Sequence, residues 1–229
     1  MKTSNIIVTV LFASITLILT TGMVEYRIKG VPRGSVVHKQ KEIKRASVLE
    51  FHYAVVEDAR SISLENADAF EVETPVLSDS AVQHLSYRVQ NDTLYIKGSP
   101  QINYEDILII KAPAGQLKGI YARHAEIIVG NFSSDRFVVR ANNAHVSINA
   151  HETMNTLVIE GLNESIIDFF EGNAIGTLDL NLDHSEIHHF GLITKLKGSI
   201  RNQSKAELKN ISELTFVKDH NSRLSVWTE

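Results

Sequence analysis

The chain contains no cysteine, which excludes a disulfide framework, a thiolate metal site, a cysteine nucleophile and a lipidated N-terminal Cys. Proline is scarce at 4 residues, and with 12 glycines in 229 positions the chain is neither collagenous nor of low complexity. Neither sign of charge dominates: 23 Lys and Arg stand against 27 Asp and Glu, for a net charge of −4. There is thus no basic excess to hold nucleic-acid phosphates and no acidic tail. Phosphate loops, dinucleotide fingerprints and a Gly-x-Ser-x-Gly nucleophile elbow are also missing. What is present is ordinary for a folded protein, 43% apolar and 22% charged residues, enough to bury a core without covalent staples.

The one long apolar run is at the N-terminus. Ile6 to Val24 spans 19 residues without a charge, about the length that crosses ~30 Å of hydrocarbon as a helix. Residues 1–24 therefore read as a transmembrane anchor in preference to a cleaved signal peptide, since the apolar stretch is long and no small-x-small site precedes Glu25. Residues 25–45 form a basic tether. On charge bias alone, Arg27, Lys29, Arg33, Lys39, Lys41, Lys44 and Arg45 after the segment hold the body on the cytoplasmic face.

After the tether the apolar positions alternate at period two over short runs, the pattern of half-buried strands. Leu49, Phe51, Tyr53 and Val55 make one such face, and Ile62 and Leu64 another. Leu85, Tyr87 and Val89 pair with Leu94 and Ile96 across a polar Asn91-Asp92 turn, a predicted hairpin. The run Ile107 to Ile110 stops at Ala112-Pro113, so residues 46–116 open the domain.

Residues 117–229 repeat with a period of about twenty, the self-similarity of solenoids. Each repeat has an apolar strand, a polar turn, a small residue and a second strand. The small residues are read as Ala125, Ala144, Ser165, Ser185 and Ala206, each followed two positions later by Ile127, Val146, Ile167, Ile187 or Leu208. Polar residues precede the small ones: His124, Asn143, Glu164, His184 and Lys205. One repeat cannot bury its apolar side alone, whereas stacking at ~4.8 Å lays Ile on Val on Ile in an internal ladder. The small residue fits a bend where the chain turns inward, and Asn and His tolerate the left-handed backbone such bends demand. Trp227 is expected to cover the open end of this core. Leucine-rich repeats are excluded because their Leu-x-x-Leu-x-Leu and Asn ladder is absent.

The segments SVLEFHYAVV, SISLENADAFEVE, HLSYRVQNDTLYIKG, EDILIIKAP and QLKGIYARHAEIIVG, in that order and leading into the repeats, resemble the GIN domain, the head domain of auto-transporter adhesins of the bacterial envelope. The likeness covers about residues 46 to 229 and is to a divergent, membrane-anchored member. It implies an all-β fold, a right-handed parallel β-helix, on the outer side of a cytoplasmic membrane or at the cell surface. It carries over no catalytic residues.

Candidate chemistry concentrates at Asp183-His184-Ser185-Glu186-Ile187-His188-His189. Along a strand His184, Glu186 and His188 share one side with Cβ atoms ~7 Å apart. They are zinc-type donors, to which His145 or Glu126 of neighbouring repeats would add. Alternation supplies a flat row where a metal needs convergence at about 2.0–2.2 Å, so the pattern favours an exposed polar ladder. His189 is expected to point inward, its imidazole neutral and bonded to a backbone carbonyl. Asp168, Glu186 and Lys209, one per repeat, are the carboxylate and cation set that a polysaccharide-cleaving β-helix would use, but no cleft-forming loops accompany them. Asn91, Asn131, Asn163, Asn202 and Asn210 each open an Asn-x-Ser/Thr triplet and read as turn chemistry. The expectation is a non-enzymatic, membrane-tethered binding or adhesin-like module with a protein or glycan ligand, needing no cofactor and binding no nucleic acid. The alternatives are a cytoplasmic scaffold that polymerises end to end, resembling the bactofilins, and a polysaccharide-acting enzyme.

Overall fold

A short alternating strand buries its apolar side only against another layer, and in a computed structural model of the chain that layer is the next strand of a coil. Residues 43–75, 86–98, 107–130, 134–149, 154–169, 174–189 and 191–227 are described. The expected transmembrane segment, residues 6–24, lies outside them. No helix occurs among the described residues, which build an all-β solenoid.

From residue 119 onward the strands come in pairs, one to each of two sheets. They are β8 (Gly119–Arg123) with β9 (Glu126–Gly130), β10 (Arg136–Asn142) with β11 (His145–Asn149), and β12 (Met154–Leu162) with β13 (Ile166–Phe169). Then follow β14 (Ile175–Asp183) with β15 (Glu186–His189), β16 (Ile193–Arg201) with β17 (Lys205–Lys209), and β18 (Ile211–Lys218) with β19 (Arg223–Trp227). Every neighbouring strand in this stretch is parallel and in register. The inward ladder of one sheet runs Ile127, Val146, Ile167, Ile187, with each pair directly opposed. The facing sheet contributes Val139, Ile159 and Leu180, and all seven side chains are buried.

The stack continues beyond β8 in an order that is not chain order. Here lie β1 (Ile43–Ser47), β2 (Tyr53–Glu57), β3 (Ile62–Asn66), β4 (Glu71–Pro75), β5 (Ser86–Gln90), β6 (Thr93–Lys97) and β7 (Leu108–Ala112). β2 and β3 form a rung directly against β8 and β9, and β6 and β7 stack on its other side. Antiparallel strands finish that end: β5 on β6, and β4 then β1 on β7. The β5–β6 hairpin turns at Asn91 and Asp92, whose φ angles of 49° and 63° are those a two-residue type I′ turn requires. Glu73 of β4 is buried but held by Arg45 at 2.7 Å and Lys111 at 2.6 Å, so its charge is compensated where it leaves water.

The bends follow one rule. A left-handed residue, His124, Asn143, Glu164, His184 or Gln203, with φ between 48° and 65°, precedes a small buried one, Ala125, Ala144, Ser165, Ser185 or Ser204. The last member corrects the sequence reading. Ser204, not Ala206, occupies the bend, and Gln203, not Lys205, is the left-handed residue, because Lys205 pairs with Glu186 and thereby sets Ser204 opposite Ser185. Ala206 belongs to the core ladder against Ile187, and Leu208 stacks on His189. Serine hydroxyls then form a buried chain. Ser165 Oγ accepts the Ala144 amide at 3.3 Å and donates to Leu162 O at 2.6 Å. Ser185 Oγ takes the Ser165 amide at 3.3 Å, and Ser204 Oγ takes the Ser185 amide at 3.2 Å.

Two further expectations change. In β2 the inward residues are Ala54 and Val56, with Phe51 buried ahead of the strand. Tyr53 and Val55 face outward and Leu49 is 74% exposed, since pairing with Ile120 and Ala122 of β8 sets the parity. Trp227 is 56% exposed on the outward side of β19, opposite Lys209, so it does not cover the core. Gly198, at φ 127°, is required where it stands, because an added Cβ would lie 2.0 Å from Leu180 O.

The ladder makes a quantitative expectation. Ile167→Ala removes a fully buried side chain from the middle of the stack and is expected to cost about 2–5 kcal/mol in urea unfolding. Ser185→Ala leaves the Ser165 amide without its acceptor and should cost about 1–3 kcal/mol. Near-wild-type midpoints for both would contradict the register.

Candidate functional site

Because the side chains alternate, everything not in the core lies on the outward faces of the two sheets, and residues about twenty apart in sequence become neighbours. On the sheet of β11, β13, β15 and β17, this juxtaposition makes one connected polar cluster. Asp168 of β13 accepts from His188 Nδ1 at 2.7 Å and from His145 Nε2 at 2.7 Å. Glu186 lies 3.8 Å from His188 Nε2 and 3.4 Å from Lys205 Nζ. Partial burial pushes the Asp168 carboxyl up, but the hydrogen bonds from His188 and His145 outweigh it and hold the group below the usual carboxylate range.

The sequence candidates divide accordingly. His188, Glu186 and His145 come together, with Asp168 as the hub that spacing alone did not single out. The signal available was the step of 20 residues from Asp168 to His188, one rung of the coil. His184 stands apart at the bend, bonded to Asp183 at 3.1 Å. Asp183 is in turn held below its ordinary range by Asn202 and His184. Glu126 pairs with His145 one rung further away. Among the described residues no group of three or more His, Asp and Glu side chains is arranged to hold a metal ion. Asp168, Glu186 and Lys209 fall in three different rows, since they oppose His188, Lys205 and Trp227 respectively. They therefore do not converge as the acid–base set of a glycosidase would.

His189 points inward, as expected, but without the expected carbonyl. It is fully buried, neither ring nitrogen has a hydrogen-bond partner among the described residues, and it packs edge-on against Phe169 with ring centroids 5.0 Å apart. Burial pushes its pKa down to about 4.

The outward face of the other sheet is more aromatic. Tyr53 and Tyr121 lie with centroids 6.2 Å apart, Arg140 sits 5.1 Å over Tyr121, and Arg88 sits 5.4 Å over Tyr95. Arg140 also pairs with Glu160 at 2.7 Å and Arg123 with Glu57 at 3.2 Å. Farther along the stack the cations remain paired, Lys197 with Asp179 at 3.0 Å and Lys195 with Glu213 at 3.7 Å.

No family model and no curated protein matches the chain. Solved structures do. A putative adhesin from Parabacteroides distasonis superimposes with a TM-score of 0.50 at 14% identity, over 82% of this chain and 96% of that one. A putative adhesin from Parabacteroides merdae gives a TM-score of 0.47 at 11% identity, over 82% and 95%. A putative lipid binding protein from P. distasonis gives 0.42 at 11%, over 82% and 96%. At such identities the likeness is one of fold.

Burial of His189 has a pH consequence. The folded form keeps the ring neutral down to about pH 4, whereas the unfolded chain takes up the proton near 6.5. Stability is therefore full above about pH 6.5 and falls as the pH drops toward 4, by about 3 kcal/mol. His189→Leu continues the Phe169–Leu208 ladder and is expected to remove most of that slope in urea unfolding between pH 7 and 4.5. An unchanged slope would contradict the assignment.

Proposed function

We propose that the protein is a non-enzymatic binding module of the cell envelope, tethered to the membrane by residues 6–24 and displaying the two outward sheet faces to a ligand. The observation that carries the reading is the surface itself. The rungs stack in register into broad shallow faces rich in polar groups, the form in which repeat proteins commonly meet partners. The putative adhesin from P. distasonis has the same fold and supports the assignment, as does the sequence resemblance to the GIN domain. Alkaline phosphatase fused after Glu229 in a bacterial host is expected to be active, because the body lies outside the cytoplasm. A stable but inactive fusion would overturn the reading.

One observation favours a second reading, the end-to-end scaffold. At the β18/β19 end, Leu214 and Val226 occupy inward ladder positions opposite Leu196 and Leu208. They are nonetheless 54% and 43% exposed, and among the described residues no further strand pairs with β18 or β19. Unpaired edges over an apolar core are templates for strand addition. Sedimentation velocity of the full chain in detergent separates the readings. The binding module is expected to keep one sedimentation coefficient over a hundred-fold dilution, whereas a scaffold grows with concentration and is cut back by Leu214→Glu.

A further inference from the structure

Two of the concavities on the outward face of the sheet that contains β2 resemble each other in makeup. The first, of about 540 Å³, is lined by Tyr53, Val138, Lys118, Arg136, Asp135 and Ala114, among others. The second, of about 530 Å³, is lined by Tyr95, Val55, Arg88, Lys97 and Glu57, among others. Each offers one valine, two cations and one carboxylate, with one tyrosine in the first and two, Tyr87 and Tyr95, in the second, and each falls within the 300–1,000 Å³ of small-molecule sites. They share β2 and lie on either side of it, the first toward β8 and β10 and the second toward β6 and β5.

The first site exists because of a glycine. Gly119 stands in register between Tyr53 and Val138. A Cβ added there would lie 3.2 Å from Val138 Cβ, 3.3 Å from Tyr53 Cδ1 and 3.0 Å from Val138 O. A glycine within a strand marks a close approach of something else. The cations are also unusual for this surface. Among the described residues no carboxylate lies within ion-pair distance of Lys118, Arg136, Arg88 or Lys97, whereas Arg123, Arg140, Lys195 and Lys197 are all paired. Two cations to one carboxylate in each pocket, the cations without an ion-pair partner among the described residues, suit an anionic ligand.

We propose that the two concavities are neighbouring subsites for an acidic polysaccharide, each taking one uronate residue of the chain. This proposal rests on the binding-module reading and gives it a site and a ligand class. In the first subsite Tyr53 and Val138 supply the apolar wall against which a pyranose ring packs, Lys118 and Arg136 take its carboxylate, and Asp135 accepts from its hydroxyls. Arg88 and Lys97, with Glu57, do the same in the second. The carboxylate in each pocket accepts from ring hydroxyls, which a uronate residue offers and a phosphodiester chain has few of. The open, shallow shape gives no enclosed place for an acyl chain. Similar chemistry repeated along one face suits a polymer of repeated units, and linked subsites gain avidity without new contacts.

The test uses the full chain in detergent micelles, titrated calorimetrically with hexamers of galacturonate, mannuronate and hyaluronan, their carboxyl-reduced counterparts, a ten-residue oligothymidylate and anionic phosphatidylglycerol vesicles. At least one uronate hexamer is expected to bind and its carboxyl-reduced form not to. Lys118→Gln with Arg136→Gln should weaken that binding at least about ten-fold, whereas Lys195→Gln on the same face should not. Arg88→Gln with Lys97→Gln should weaken the hexamer far more than a dimer, which fills one subsite. Gly119→Ala should also weaken binding. Tyr53→Ala provides a second probe of the pocket should Gly119→Ala lower the thermal midpoint. Failure of all three uronate hexamers to bind, or binding of the oligothymidylate or vesicles alone, overturns the proposal. Uronate binding unaffected by these variants overturns the site while leaving the binding-module reading in place, and that reading is tested separately by the phosphatase fusion.

Discussion

A coil of short strands holds only if the chain reverses between its two sheets within two or three residues without placing bulk where the backbone folds inward. The left-handed residue followed by a small buried one meets this requirement at five successive bends, and most other features follow from it. A non-glycine residue in the left-handed region costs about 1–2 kcal/mol, and these bends hold seven of them, Asn163 and Asn202 included, so they need compensation. The buried serine hydroxyls at three bends help by tying each rung's amide to the next. With the bends in phase, inward positions stack as a continuous aliphatic ladder and the backbone amides find partners above and below.

The same phase determines what the exterior can do. Side chains one rung apart are brought to strand spacing, so opposite charges recur in pairs such as Arg140–Glu160, Lys197–Asp179 and Lys205–Glu186. Exposed pairs of this kind add little stability; their effect is to prevent columns of like charge. On one sheet the outward histidines His145 and His188 are drawn onto Asp168. The other sheet keeps cations beside tyrosines near β2 that have no ion-pair partner among the described residues, so the two faces differ in what they leave available to a ligand.

Much of this was legible in the sequence, for particular reasons. Period-two alternation identified strands, and the step from Ile127 to Val146, Ile167 and Ile187 reported the stacking register because one rung is one repeat. The Asn91-Asp92 turn was legible because few residue pairs take two left-handed conformations in succession. The misreading at Ala206 arose because a small residue also sits in the core there. The better signal was chemical: Asn163-Glu164-Ser165 and Asn202-Gln203-Ser204 are the same bend written twice. The rung of β2 and β3 was hidden because it stacks out of chain order, and Trp227 was misjudged because side-chain parity, not size, decides which residue faces the core. Asp168 as a hub could be seen only once the register joined it diagonally to His145 and directly to His188.

The bend register is tested most directly by methyl contacts across the β15–β17 step. In a methyl-labelled sample, nuclear Overhauser effects are expected between Ile187 and Ala206, which oppose one another when Ser204 holds the bend. Contacts of Ile187 to Leu208 in their place would set Ala206 at the bend, shift that rung by two residues and contradict the account.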